Sequence, residues 1–341
     1  MILRLKRKRD EPVERLFADI EALSGAPPQG RELDVERRLL QLRHRAGLRL
    51  IDDPPDGLPG YPEPAFERLP EGPVLPEMEA AEVTPEVLRA AILRKGCLLI
   101  RGFIDRDSAS GLVEKIDRAY AAREDGSSGD GYYEEFEPDP RFDLRLERGF
   151  VRVAAGLWAA DSPRAIGHVL HLFERAGLRR LVTGYLGERP AISINKCLLR
   201  RVRPTLFDDT AGKAEQDPSA WHQDGAFLKD VRALNVWLAL TRCGDEAPGL
   251  DLVPRRFDGI VQTGTEGAAF DWSVSRAVAE EASGDAGIVR PIFEPGDVLL
   301  FDELFLHATA AEPDMPSSRY AIETWFFGPS AFPANYAPLA F

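Results

Sequence analysis

From residue 190 onward the chain divides into short β-type runs punctuated by glycine, proline and aspartate. The runs are Ile192–Val202, Trp221–Phe227, Leu234–Leu240, Leu250–Val253, Val289–Phe293, Val298–Phe301, Phe305–Ala308 and Arg319–Phe327. Runs this short cannot each bury an apolar face alone. They must close on one another as a sandwich or barrel. The fold expected is mainly β with flanking helices: a double-stranded β-helix core (jelly-roll, cupin-like) over about residues 190–328, preceded by a helical N-terminal region. The expected division is a helical and irregular N-terminal extension at 1–82 and one domain at 83–341.

The first half reads as helices. Asp10 can cap a helix with Pro12 in its first turn, running to about Leu23, and a second amphipathic helix is expected from Leu33 to Ala46. A proline-rich connector follows over residues 53–76. Thr84 and Pro85 open another helix that Gly96 closes, and Cys97–Ile100 reads as a short buried strand. Asp105 caps a helix that places Leu112, Ile116 and Tyr120 on one face, residues 124–131 form a polar loop, and a helical stretch spans Pro163–Leu186.

Charge and cysteine usage narrow the function. The chain carries 43 Lys and Arg against 56 Asp and Glu, a formal charge of −13, which argues against a nucleic-acid partner. No apolar run approaches the ~20 residues that cross a bilayer. The basic opening Met1–Arg9 lacks the apolar stretch of a secretory signal, and as a basic cluster it reads as a solvated end. Cys97, Cys197 and Cys243 stand far apart and read as small buried hydrophobes in a reducing, cytoplasmic protein. The partner class is a small molecule, and oligomeric state is not encoded in these features.

Five histidines are present: His44, His168, His171, His222 and His307. His168 and His171, three apart on a helix with no third ligand nearby, read as surface or core residues. His222-Gln223-Asp224 lies in a strand-like run, where residues two apart share a face. His307 follows the turn Glu294–Asp297 and the run Val298–Phe301, and Arg319 opens the last run. Singly, each histidine reads as a core residue and Asp224 as a turn cap. Together, two imidazoles and a carboxylate form the donor set of non-haem iron(II), leaving coordination positions open. An arginine inside a β core calls for an anionic partner, and its fork fits a carboxylate.

The phrases Leu93–Ile104, Trp221-His-Gln-Asp-Gly225, Leu234–Leu240, Pro248–Pro254 and Glu294–Phe301, with His307 and Arg319, occur in one order. In that order the chain resembles the phytanoyl-CoA dioxygenase-like family of iron(II)/2-oxoglutarate oxygenases over about residues 85–327. The resemblance implies that His222, Asp224 and His307 are the iron ligands. It implies that Arg319, with Thr309, holds the distal carboxylate of 2-oxoglutarate, and that Gln223 and Trp237 line the co-substrate pocket. The strand Ile194–Val202 is expected to supply another wall, with Lys196, Cys197 and Leu199 as candidates. Arg200, Arg201 and Arg203 read equally as steering charges and as solvated side chains. The implied activity uses iron(II), 2-oxoglutarate and O2, hydroxylates an unactivated C–H bond of a small molecule, and releases succinate and CO2. Asp224 fills the position that related halogenases leave open. Two alternatives are a non-catalytic jelly-roll protein that binds a small acid and a metal-dependent isomerase or hydrolase on the same fold. The chain departs from the family at Pro254-Arg-Arg-Phe257, where the usual continuation is Pro-Gly-Ser-His, and in a long polar segment between Val202 and Trp221.

Overall fold

The computed structural model describes residues 11–72, 75–126, 129–153, 156–204 and 220–341. The expected Asp10 cap, the basic cluster at the start and most of the polar segment before Trp221 lie outside the described residues. The helices are α1 (Val13–Ser24), α2 (Leu33–Asp52), α3 (Pro85–Lys95), α4 (Arg106–Asp125), α5 (Arg145–Val153), α6 (Pro163–Arg175), α7 (Leu178–Leu186) and α8 (Arg276–Ser283). The strands are β1 (Glu77–Glu79), β2 (Cys97–Arg101), β3 (Gly156–Trp158), β4 (Ala191–Val202), β5 (Ala233–Ala239), β6 (Gly249–Leu252), β7 (Val298–Phe301), β8 (His307–Ala310), β9 (Arg319–Phe327) and β10 (Pro338–Ala340).

The caps read from sequence are present. The Thr84 hydroxyl accepts from the Val87 N–H at 3.4 Å, and the Asp105 carboxylate accepts from the Ser108 N–H at 2.8 Å. Three expectations need correction. The stretch Pro163–Leu186 is two helices, because Gly177 between them takes a left-handed φ of 76° that ends the first. The run Trp221–Phe227 is not a strand: it makes bridges at Trp221 and His222 and then turns at Asp224–Ala226. Val289–Phe293 likewise makes isolated bridges at its two ends.

One large sheet runs β1-β2-β7-β5-β9-β4-β10, with β3 added to β4, and a small sheet pairs β6 with β8. All pairs are antiparallel except β1 with β2. The alternation along each strand explains the layers. Leu234, Val236 and Leu238 of β5, Val298 and Leu300 of β7, and Ile322 and Phe326 of β9 face a helical layer that includes Val87, Ile116, Val169 and Tyr185. Their neighbours Trp237, Leu299, Phe301, Trp325 and Phe327 face inward, against Leu250 and Leu252 of the small sheet. The outer side of the small sheet is closed by Trp221, Val274 and Ala279, the last from α8.

The N-terminal segment shares this interior. Leu40, Leu69 and Met78 belong to the helix-side core, and Leu16, Leu39 and Leu42 pack with Ala340 of β10. His44 is a satisfied core histidine: Nδ1 lies 2.8 Å from the Pro338 carbonyl, and Nε2 accepts from the Asp139 N–H at 2.9 Å.

Candidate metal centre

His307 opens β8 and exchanges two backbone hydrogen bonds with His222, His222 N–H to His307 O at 2.9 Å and the reverse at 3.1 Å. Opposed residues of an antiparallel pair project to the same side, and here the ring centroids stand 4.4 Å apart. The chain stays extended at Gln223 (φ −112°, ψ 127°) and then tightens into a single turn at Asp224–Ala226. The Gly225 N–H donates to the Glu303 carbonyl at 2.8 Å, and a Cβ there would lie 3.0 Å from that oxygen, so the close approach favours glycine. These contacts bring one ligand atom each from His222, Asp224 and His307 within 4.8 Å of one another. Among the described residues this is the one such group of three, and His168 and His171 belong to none.

Both imidazoles are oriented by the same device. Nδ1 lies 2.7 Å from the Ala220 carbonyl in His222 and 3.0 Å from the Phe305 carbonyl in His307. An N–H on Nδ1 donated to a carbonyl leaves the lone pair on Nε2, the form a metal needs. Ala220 holds its carbonyl there with a left-handed φ of 48°, a conformation uncommon for a residue with a Cβ. Burial, reinforced by His307, pushes the His222 imidazole down to about 3, so it stays neutral. Asp224 is buried, and that raises its carboxyl, with Lys196 and His307 opposing the rise. Among the described residues the Asp224 carboxylate accepts no hydrogen bond, and its near neighbour is His307 Nε2 at 3.9 Å. A buried carboxylate without donors, set beside two imidazole lone pairs, is a donor set for a divalent cation.

Arg319 begins β9 opposite Val202 and is 3% exposed. Its Nη1 donates to the Gly249 carbonyl at 2.8 Å, and its guanidinium lies 5.4 Å from the Trp237 ring centroid. Its Nε has no hydrogen-bond partner. Burial pulls this arginine down to about 10, still charged at neutral pH. A buried cation with an unfilled donor can bind a carboxylate. Thr309 stands two residues from His307 on β8, opposite Leu250, so it shares the His307 face and borders the same Gly249–Leu250 backbone. Trp237 faces inward against Phe293, with centroids 4.8 Å apart.

Gln223 is placed differently from the expectation. Its Nε2 donates to the carbonyls of Leu304 (2.6 Å) and Gly259 (3.1 Å), and its Oε1 accepts from the Val261 N–H (2.7 Å). With its carboxamide committed to three backbone groups, Gln223 ties loops together instead of facing a co-substrate. Gln223→Ala is therefore expected to cost about 2 kcal/mol through three orphaned backbone partners. A melting curve checks this; the 2-oxoglutarate requirement should stay unchanged.

Strand β4 also resolves. Cys197 contacts Thr324 at 3.6 Å and, with Leu199, belongs to the helix-side core. Lys196 has the opposite parity and holds its Nζ 4.1 Å above the Phe227 ring, near Asp224. Arg200 and Arg201 are held in ion pairs. Arg200 donates twice to Glu323 (2.8 and 3.0 Å), and Arg201 reaches Asp117 and Glu124. Glu323 is a group the sequence reading missed. Burial opposes its charge, yet Arg200 and Lys196 together hold its carboxyl below the usual range. The signal was an acid sharing the parity of Arg319 in an otherwise apolar run. Asn235, two residues before Trp237, was also missed; it is buried with its Oδ1 unpartnered. The unusual Pro254–Phe257 loop has a local reason, since Arg256 pairs with buried Asp302.

Aromatic rings lead outward from His222. Trp272 meets it edge-on at 5.4 Å, Phe270 stacks on Trp272 at 4.7 Å and 7°, and Phe150 of α5 meets Phe270 at 6.3 Å. Phe150 and Phe270 are 55% and 43% exposed.

A family model described as phytanoyl-CoA dioxygenase matches residues 92–312, which include His222, Asp224, His307, Thr309 and Trp237 but not Arg319 and Glu323 of the last long strand. The chain belongs to the phytanoyl-CoA dioxygenase family. This family depends on iron(II) and 2-oxoglutarate, and the chain is an enzyme of that oxygenase type. Among curated proteins no sequence matches. The chain is similar to the crystal structure of AviO1 from Streptomyces viridochromogenes Tue57, at 18% identity over 72% of this chain and 96% of that one, with a TM-score of 0.43. It is similar to EctD from S. alaskensis, solved with 2-oxoglutarate and 5-hydroxyectoine, at 17% identity over 80% and 88%, TM-score 0.44. It is also similar to the carbocyclase SnoK from nogalamycin biosynthesis, at 14% identity over 74% and 86%, TM-score 0.45. No helix of the described residues is long and apolar enough to cross a membrane.

Proposed function

We propose that this chain is an iron(II)- and 2-oxoglutarate-dependent dioxygenase that hydroxylates an unactivated C–H bond of a small molecule with a broad apolar or aromatic surface. The observation that carries the reading is the converging donor set of His222, Asp224 and His307, inside the same sheet pair as a buried arginine with an unfilled Nε. When bound, iron would activate dioxygen, with 2-oxoglutarate supplying electrons and leaving as succinate and CO2.

The remaining work belongs to the protein. The two Nε2 atoms and the Asp224 carboxylate would hold the metal, and the carboxylate would offset one unit of its charge. Arg319 takes the distal carboxylate of the co-substrate with its free Nε, and Thr309 offers a hydroxyl from the His307 face. Trp237 stacks against Arg319 and limits how far that carboxylate can tilt. Lys196 sets positive charge beside Asp224, where an anion approaching the metal would meet it. Trp272 and Phe270, stacked on each other, with Phe227 set edge-on to Trp272, form an aromatic wall on which a substrate can rest with one C–H turned to the metal, and their bulk excludes water.

The test is succinate formation by the purified protein with iron(II), ascorbate, 2-oxoglutarate and oxygen. Succinate that requires both iron and oxygen is expected. Where absence of the substrate silences turnover, iron with 2-oxoglutarate at ~100 times Kd should still stabilise the fold by about 2.7 kcal/mol. No succinate together with no stabilisation would overturn the reading. Once a substrate is found, Trp272→Ala should raise its KM by about tenfold, the scale of one lost aromatic contact. Substrate-independent succinate formation in that variant should persist.

A further inference from the structure

A cavity of about 220 Å3 lies away from the metal centre, where α1 and α2 of the N-terminal segment meet α6 and α7. Its polar lining is dominated by Arg31, Arg43, Arg179 and Arg189, with Glu36 and Glu174 as the inner acids and the exposed Glu21 at the rim. Two of the arginines are neutralised. Arg31 pairs with Glu36 at 3.3 Å, both nearly fully buried, and Arg179 pairs with Glu174 at 3.1 Å.

The other two make no ion pair with a carboxylate among the described residues, although Glu174 attracts both from a distance. Arg43 is 8% exposed, and its one hydrogen bond runs from Nη1 to the Ala340 carbonyl at 3.0 Å. Arg189 gives its Nε to the Phe341 main-chain oxygen at 2.9 Å and lays its guanidinium 3.4 Å over the Phe17 ring. Burial, together with the neighbouring guanidiniums and against the attraction of Glu174, pulls both down to about 10. Charges kept in this arrangement cost free energy unless an anion completes them. The lining between the arginines is apolar, supplied by Leu39, Ile166 and Leu170.

We propose that this cavity is a second ligand site, which takes a small oxyanion with a short apolar body, a carboxylate or a phosphate monoester, between Arg43 and Arg189. Planar guanidinium forks match both headgroups, and the apolar lining suits a ligand larger than a bare ion. The site has a structural consequence. Arg43 and Arg189 also hold the two successive carbonyls of residues 340 and 341, so an anion bound to both would fasten α2 to the end of the large sheet.

The experiment is a thermal-shift titration of the full chain with butyrate, ethyl phosphate and inorganic phosphate, each matched against chloride at equal ionic strength. A saturable rise in melting temperature with butyrate or ethyl phosphate is expected, and the arm that saturates first identifies the headgroup. Arg43→Met and Arg189→Gln should each weaken that response at least tenfold. Asp224→Ala should leave it unchanged, because the metal centre takes no part. Should Arg43→Met fail to fold, Arg189→Gln carries the same comparison. The proposal is overturned if none of the three anions gives a saturable rise, or if a folded Arg43→Met or Arg189→Gln responds as the parent does.

Discussion

Replacing Asp224 with alanine should lower 2-oxoglutarate turnover by more than about 100-fold while leaving the metal-free protein as heat-stable as the parent. The first effect follows from the donor set. Removing one of three protein ligands takes away both a coordination bond and the site's negative charge, which exceeds the roughly 10–100-fold that loss of an outer-shell partner costs. The second follows from what Asp224 does not do. Its carboxylate accepts no hydrogen bond among the described residues, and it stands buried. Its removal therefore orphans no donor, and it relieves the protein of a desolvated charge. The backbone contacts that shape the turn, from Phe227 and Leu228 to the Asp224 carbonyl at 3.1 and 2.8 Å, survive the substitution. Turnover and iron affinity measured beside a melting curve separate the two effects. Retained turnover would remove Asp224 from the ligand set. A large drop in melting temperature would recast it as a structural residue.

Arg319→Ala should raise the 2-oxoglutarate requirement by about 100-fold with a smaller loss of kcat. A buried carboxylate that loses a charged, hydrogen-bonded partner forfeits about 1.5–3 kcal/mol, and the upper end of that range applies because little water reaches this position. The effect should appear as KM, since the guanidinium binds the end of the co-substrate remote from the metal. Arg319→Lys should recover part of the loss, because an ammonium restores charge without the fork. A steady-state 2-oxoglutarate titration of the parent and both variants checks this. An unchanged KM in Arg319→Ala would assign the co-substrate to another cation, with Lys196, beside Asp224, as the candidate.

Much of this architecture was legible because strand alternation and caps are local signals. Val298–Phe301 and Arg319–Phe327 match their strands residue for residue, and Thr84 and Asp105 cap the helices they were assigned. The HxD spacing brought His222 and Asp224 to one side even though the segment is a bridge followed by a turn and not a strand. Errors arose where a long-range partner decides the outcome. The pocket role of Gln223 is implied only by the resemblance, and its orientation is set by carbonyls at 259 and 304 that no local pattern reveals. Arg200 reads from sequence either as a steering charge or as a solvated side chain, because its partner Glu323 lies on another strand. The two-helix form of 163–186 was an avoidable miss, since Gly177 was visible in the sequence. The arginine cavity could not have been read in advance: its members come from segments that meet only when α2 packs on β10.

The reciprocal backbone pairing of His222 with His307 has a consequence for how the protein is made. The two imidazoles belong to segments that a ribosome produces well apart in time, and the His222–Asp224 segment alone supplies only two of the three ligands. A nascent chain thus has no preformed place for iron until residue 307 has emerged and docked on residue 222, when the loop between them is closed. Metal capture is tied to completion of the double sheet, so half-made or truncated chains should not compete for the cell's loosely held ferrous pool.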